Sequence, residues 1–355
     1  MTDFQINRLL VVGVGLIGGS VAAGLRRAGV CREILGVAHK ASICEQALEV
    51  GLVDRASVDV TDFIPELSQG DLVFIAVPTL AVDQVLKDLA PLMNTDVTIT
   101  DGASVKGSVA RAAQALFGVV PKNLVLGHPI AGSEKSGVTA ANPDLYANHR
   151  IIVTPVESNA LEHITKVENL WSALGANVLQ MNIDEHDEVL AATSHLPHVI
   201  AYSLVDTLAH DSENENIFRY AAGGFRDFTR IASSNPLMWH DIMRANKDAV
   251  IGALDLFEQN LSRLRTAIAE EDSEAMLGVF TRAKVARDHF TKLLTKQAYS
   301  EPMHTDDVVY IASPGKSVSG EIRVPGDKSV SHRSCLLYTS PSPRDKRQSR
   351  MPSSA

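Results

Sequence analysis

No run of ~20 uninterrupted apolar residues, the length a helix needs to cross a bilayer, occurs anywhere in the 355-residue sequence. The apolar stretch near its start is broken by Gly13 and Gly15 and has neither a basic leader nor a cleavage site, so it does not read as a secretory signal. Cysteine is scarce. Cys31, Cys44 and Cys335 are odd in number and form no CxxC pair, which excludes a disulfide framework and fits a reducing cytoplasm. Excess positive charge is also missing: 33 Lys and Arg against 42 Asp and Glu leave a net charge of -9. A general attraction to nucleic acid or to an anionic membrane is thereby excluded, and an anionic substrate must meet a local cationic site.

With 45% hydrophobic and 21% charged residues, the chain has the material for large cores, and its length predicts two domains. Short β-branched runs at Leu9–Val14, Ile34–Val37, Leu72–Val77, Val97–Thr100, Leu124–Leu126 and Ile151–Val153 alternate with helical patterns. That rhythm predicts a mostly parallel sheet with helices on both faces, an α/β Rossmann-type dinucleotide-binding domain over residues 1–181. At Asn182 an Asn/Asp cap opens helical sequence, and residues 182–298 read as an all-helical domain with helices over Asp187–Leu208, Pro236 to about Arg265, and Ser273–Leu294. Ile251, Leu254, Leu256, Phe257, Leu261 and Leu264 crowd one segment there, either as a dimer interface or as ordinary core. Residues 299–312 read as a linker, 313–335 as a Gly/Ser/Lys-rich strand-like stretch, and 336–355 as a disordered Ser/Pro/Arg tail.

The motif Gly13-Val14-Gly15-Leu16-Ile17-Gly18 follows a strand and enters a helix. In a dinucleotide fold its first glycine makes the tight turn, Gly15 admits the pyrophosphate, and Gly18 lets helix and strand pack closely, with the phosphates at the helix N-terminus. The acidic residue that would hold the adenosine ribose is missing, because the second strand runs out as Val37-Ala38-His39-Lys40. His39 and Lys40 are either partners for a 2′-phosphate or solvated loop residues, so NAD and NADP both stay open. Ligands in such folds lie beyond the carboxyl ends of the strands, which directs attention to Val77 and Pro78, to Ser104, and to His128 in the loop expected after Leu126. A loop histidine is a general base or a surface residue. On the helix from Asp187, the residues Val189, Leu196, Ile200 and Leu204 form an apolar stripe, while Ser194, His195, His198 and Tyr202 form a polar face beside a kink at Pro197, suited to a cleft wall. A metal is the weaker reading of the two histidines, since neither Cys nor carboxylate joins them at ligand spacing. Arg226 and Arg230, beside the flexible pair Gly223-Gly224, are natural carboxylate clamps.

Five stretches in one order, the glycine motif, Asp101–Lys106 (DGASVK), His128–Gly137 (HPIAGSEKSG), Ser194–His198 (SHLPH) and Gly223–Ala232 (GGFRDFTRIA), resemble the prephenate (cyclohexadienyl) dehydrogenase family over about residues 7–295. The resemblance implies oxidative decarboxylation of prephenate, or arogenate, on the route to tyrosine, by a homodimer built through its helical domain. It implies His128 as proton acceptor from the ring hydroxyl, Ser104 as its orienting partner, Arg230 as the carboxylate binder, and His198 at the side-chain end of the pocket, with Ser194 and His195 on the same wall. Another two-domain hydroxy-acid or imine dehydrogenase, which would need Lys or Asp in place of His128, and a non-catalytic nucleotide-sensing module are the rival readings. Ser313–Lys316 and Val324–Arg333 resemble the opening of enolpyruvylshikimate-phosphate synthase, in which Lys328, Ser329 and Arg333 would meet anionic substrate. The expectation there is a fusion into a synthase domain, with the last ~20 residues unrelated to either fold.

Overall fold

In a computed structural model, residues 4–132, 135–209 and 222–299 are described. The six apolar runs all become strands: β1 (Ile6–Val12), β2 (Cys31–Val37), β4 (Leu72–Ile75), β5 (Thr98–Asp101), β6 (Leu124–Pro129) and β7 (Arg150–Thr154). Two further strands, β3 (Arg55–Ser57) and β8 (Asn177–Gln180), carry no such run. They are the two edges of an eight-stranded sheet in the order β3-β2-β1-β4-β5-β6-β7-β8, where a short strand has one neighbour and little apolar surface to cover. Pairing is parallel throughout except between β6 and β7.

The strand period of two sorts β1 between two cores. Leu9 and Val11 pack with Val21, Ala22 and Leu25 of helix α1 (Leu16–Ala28) and with Leu170 and Trp171 of α5 (Leu161–Ala173). Leu10 and Val12 face the opposite side, in the cluster holding Val82 and Leu86 of α3 (Val82–Asp88) and Val109, Ala110 and Ala113 of α4 (Lys106–Phe117). The remaining helix of this half is α2 (Ala41–Glu49). Strand order reverses between β2-β1 and β4-β5, so a crevice opens at the carboxyl ends of β1 and β4.

The Asn182 side chain accepts from the Glu185 backbone N–H at the start of α6 (Ile183–Leu190), four residues before the start predicted from apolar spacing. A π-turn over Ala191–His195 leads into α7 (Leu196–Ala209), so the stretch is not one regular helix. Pro197 has no N–H for the carbonyl four residues back, and the backbone widens into the π-turn just ahead of it. Gly223 and Gly224, read as a flexible pair, open a helix, α8 (Gly223–Thr229). The helix predicted from Pro236 to about Arg265 divides at Asn246 into α9 (Pro236–Ala245) and α10 (Lys247–Ala269). Asn246 is buried there, its amide engaged by groups outside its own helix. Described residues up to Met276 form one compact unit and those from Leu277 a second. The helix α11 (Ser273–Tyr299) runs five residues beyond the end expected at Leu294. The segments 300–312, 313–335 and 336–355 lie outside the described residues. No helix among the described residues is long and apolar enough to cross a membrane.

Candidate active site

At the end of β1 the backbone turns through Gly13, whose φ of 103° suits glycine, and a Cβ there would lie 2.4 Å from the Ala76 carbonyl oxygen. A Cβ on Gly18 would fall 2.2 Å from the Gly13 carbonyl oxygen and 2.7 Å from Val11 Cγ1, so helix α1 rests directly on the strand. A Cβ on Gly15 would meet no protein atom within 4 Å, and Gly15 is the N-cap of α1 with no side chain over the first-turn N–H groups. Leu16 and Ile17 form that first turn, and the Ile17 carbonyl accepts from Tyr146 Oη at 2.6 Å. Such a cradle, bare N–H groups at a helix N-terminus under an open glycine, fits a dinucleotide pyrophosphate. Val77 is half-buried and Pro78 exposed at the end of β4, while His39 and Lys40 are exposed past β2.

His128 lies inside β6, not in a loop after it. The antiparallel pairing with β7, in which His128 faces Ile152 and Pro129 faces Ile151, carries the strand past the end expected at Leu126. The ring is buried, and its Nδ1 is 2.9 Å from His186 Nε2. His186 Nδ1 is in turn 2.7 Å from Asp187 Oδ1. Asp187 also accepts from the backbone N–H groups of Lys106 at 2.9 Å and Gly107 at 2.8 Å, first-turn donors of α4 that have no acceptor within the helix. Burial pushes the Asp187 carboxyl up, but the hydrogen bonds from His186 and from those two N–H groups outweigh it and leave the carboxyl below its ordinary range. Burial above all, then the neighbouring His186, Lys106 and His195, holds His128 well below the ordinary histidine value, so it is neutral at pH 7.

One step behind His128, Lys106 Nζ donates to Asp101 and, at 2.6 Å, to the Gly127 carbonyl; both side chains are fully buried. The pair ties the end of β5, the start of α4 and the residue before His128 together. Ser104, in the same turn, is half-buried and makes no hydrogen bond among the described residues, so it is not joined to His128.

The helical wall departs from the pattern predicted for it at two positions. His195, on the face expected to line open space, is 1% exposed, whereas Val189, on the apolar stripe, is 40% exposed. Leu196, Ile200 and Leu204 are only half-buried. His195 Nδ1 pairs with Asn246 Nδ2 at 3.2 Å, the same amide donates to the Asp187 carbonyl at 2.8 Å, and burial takes His195 down to about 4. His198 stacks on Trp239 at 3.5 Å between ring centres, with its Nδ1 2.9 Å from the Ser194 carbonyl. It too is lowered, by burial first and by the charge of Arg230 against the pull of the Ser194 carbonyl, which brings Arg230 into this group. Arg230 itself is exposed, and Tyr202 Oη donates to the Ser234 carbonyl at 2.7 Å. The described residues contain no cluster of three His, Cys, Asp or Glu that could hold a metal.

Two family models match: prephenate dehydrogenase, nucleotide-binding domain, over residues 21–180, and prephenate dehydrogenase, dimerization domain, over residues 182–282. The chain belongs to the prephenate dehydrogenase family. A cyclohexadienyl dehydrogenase of Zymomonas mobilis is 36% identical over 292 residues, 81% of this chain and 96% of the relative. The crystal structure of prephenate dehydrogenase from A. aeolicus in complex with hydroxyphenyl propionate and NAD+ matches with a TM-score of 0.75 at 35% identity, covering 81% of this chain and 100% of that one. A separate match joins 35 residues, 10% of this chain, at 63% identity to 8% of the 3-phosphoshikimate 1-carboxyvinyltransferase of Methylococcus capsulatus. As a member of the prephenate dehydrogenase family, the chain is an oxidoreductase, and its glycine motif lies just before the matched residues.

From the predicted set, the structure brings His195 and His198 together on Trp239, with Arg230 near His198, and packs Gly13 and Gly18 of one turn against Ala76. Sequence reasoning passed over His186, Asp187, Lys106, Asn246 and Trp239 as site residues. His186 and Asp187 follow the acidic first-turn residues Asp184 and Glu185, in a stretch that reads as an ordinary solvated cap, although His186 is fully buried. Only a His-Asp pair in a helix otherwise exposed at that turn could have signalled them.

Proposed function

We propose that residues 1–181 hold NAD or NADP on the Gly13–Gly18 turn, and that residues 182–298 supply the substrate wall and a homodimer interface. The substrate is prephenate or the related arogenate, and the product belongs to tyrosine biosynthesis. Bound nicotinamide supplies the hydride acceptor for this chemistry. His128 takes the proton of the ring hydroxyl, Ser104 contacts that hydroxyl once substrate is in place, and loss of carbon dioxide leaves an aromatic ring, so positioning and one proton acceptor are what the protein has to provide. Arg230 meets the side-chain carboxylate, with His198, Ser194 and His195 on the wall beside it. The enzyme works in the cytoplasm. The observation that carries the reading is a neutral, buried His128 near the carboxyl end of β6, in the same sheet whose β1 runs into the glycine turn.

Its test is turnover of prephenate and of arogenate with each cofactor, for the native chain and for His128→Asn. The native chain is expected to turn over, and the variant to keep KM within a few-fold while kcat falls ~100-fold or more. Near-normal turnover in the variant removes His128 from the mechanism; no turnover in the native chain favours another hydroxy-acid or imine dehydrogenase or a nucleotide sensor. The exposed His39 and Lys40, with no carboxylate beside them in the sequence, support use of NADP at least comparable to NAD. Residues 313–335, after a linker at 299–312, are proposed as the opening of a synthase-type domain fused to the dehydrogenase, supported by the 35-residue match. No role is proposed for residues 336–355.

A further inference from the structure

The chain from His128 to His186 to Asp187 has a direction, and the direction is set at its far end. A carboxylate accepts and does not donate, and Asp187 is held as one by the two backbone N–H groups of Lys106 and Gly107. The nitrogen facing it at 2.7 Å, His186 Nδ1, must therefore carry a proton. In a neutral His186 the other nitrogen, Nε2, then has a lone pair, and it lies 2.9 Å from His128 Nδ1. One of two nitrogens sharing a hydrogen bond has to donate, so His128 Nδ1 carries the proton. Its Nε2 is left with the lone pair, the form a proton acceptor requires.

We infer that His186 and Asp187 are positioning residues that lock His128 in the Nδ1–H tautomer and so leave its Nε2 open to a substrate proton. The inference rests on the reading of His128 as proton acceptor. It also gives the contact between α6 and the start of α4 a chemical task. Asp187 closes the first turn of α4 from 81 residues away, so the tautomer of a residue in the sheet depends on the helical segment being seated at that turn. Asn246, donating to the Asp187 carbonyl at 2.8 Å from the break between α9 and α10, fixes the same turn from the other side.

The test is nitrogen NMR of the histidine rings in the full chain, with the His128 signals identified as those absent from His128→Asn. Above pH 7 the native protein should show His128 with Nδ1 protonated and Nε2 bare. His186→Leu removes the acceptor: both tautomers should appear, and kcat for prephenate should fall about 10-fold or more with KM within a few-fold. His186→Gln, whose amide N–H is held by the Asp187 carboxylate so that its oxygen faces His128 and accepts from Nδ1–H, should restore the single tautomer and most of the turnover. Asp187→Asn can offer an N–H to His186, which leaves the direction of the chain undecided and should again give both tautomers. A native His128 protonated on Nε2 overturns the inference, as does a His186→Leu protein with the native tautomer or native kcat. Should His186→Leu not fold, the native spectrum and the His186→Gln spectrum decide. Since the native spectrum needs no turnover, a protein that shows the Nδ1–H tautomer yet leaves prephenate untouched would sink the proposed function and not the relay.

Discussion

The sheet half and the helical half of this chain solve the burial problem differently. Around the sheet, Leu9, Leu10, Val73, Phe74, Leu126 and Val153 are all at 0% exposure, and the covering helices come from the same half. In α10 the large apolar residues Ile251, Leu256, Leu261 and Ile268 stand 45–62% exposed. In the second unit Leu277, Phe280 and Val285 stand 55–66% exposed. Among the described residues, the only core cluster formed mainly by the helical half is small, with Trp239, Ile242 and Ala245 packed on Val105. One half is thus finished within a single chain, whereas the other leaves an apolar face of the kind a subunit interface uses. The dimerization-domain match falls on the unfinished half.

Breaking each half in turn should separate the two kinds of stability. Trp171 is fully buried, edge-on to Phe74 and Tyr146, and Trp171→Ala should cost about 3–5 kcal/mol whatever the protein concentration, read by denaturant melting. The double change Leu256→Ser with Leu261→Ser should leave the sheet folded by circular dichroism, but halve the mass seen in light scattering and remove the concentration dependence of melting. A mass and a melting curve unchanged by that pair would place the interface elsewhere.

Where the halves meet, pH sharpens the contrast. The folded pKa of His195, about 4, lies below the ~6.5 of an unfolded histidine, so below pH 6.5 the unfolded chain binds more protons. The stability His195 confers is complete above that value and is lost as pH falls toward 4; between pH 7 and 5 the loss is on the order of 2 kcal/mol from this residue alone. His128 is shifted in the same direction and adds to the loss. Melting as a function of pH, repeated on His195→Gln, reads this, and equal slopes in the two proteins would remove His195 as the cause.

The smallest effect concerns substrate. Arg230 is exposed, so its contact with a carboxylate is partly screened, and Arg230→Ala should raise KM by about 10-fold, roughly 1–2 kcal/mol, with little change in kcat. An unchanged KM would shift the clamp to Arg226 or another cation.

The six apolar runs, the turn through Gly13, Gly15 and Gly18, and the cap at Asn182 were legible in the sequence because each rests on contacts or backbone geometry a few residues long. His128 could be singled out from its place near a strand end, although its membership of β6 depends on β7. The rest was decided at long range. Whether a helix face is core or surface depends on what the fold sets against it: the stripe through Val189 and Ile200 has the right spacing for burial, yet His195 on the other face is the buried residue, because Asn246, 51 positions away, and Trp239 close over it. In the same way His186 and Asp187 read as a solvated cap until the start of α4 supplies two N–H groups and β6 supplies His128 from 58 positions away. Local sequence determined the six inner strands, the glycine turn and the Asn182 cap; which side chains are buried, charged and aimed at one another was left to tertiary structure, since burial and hydrogen-bond direction depend on partners that mostly lie far along the chain.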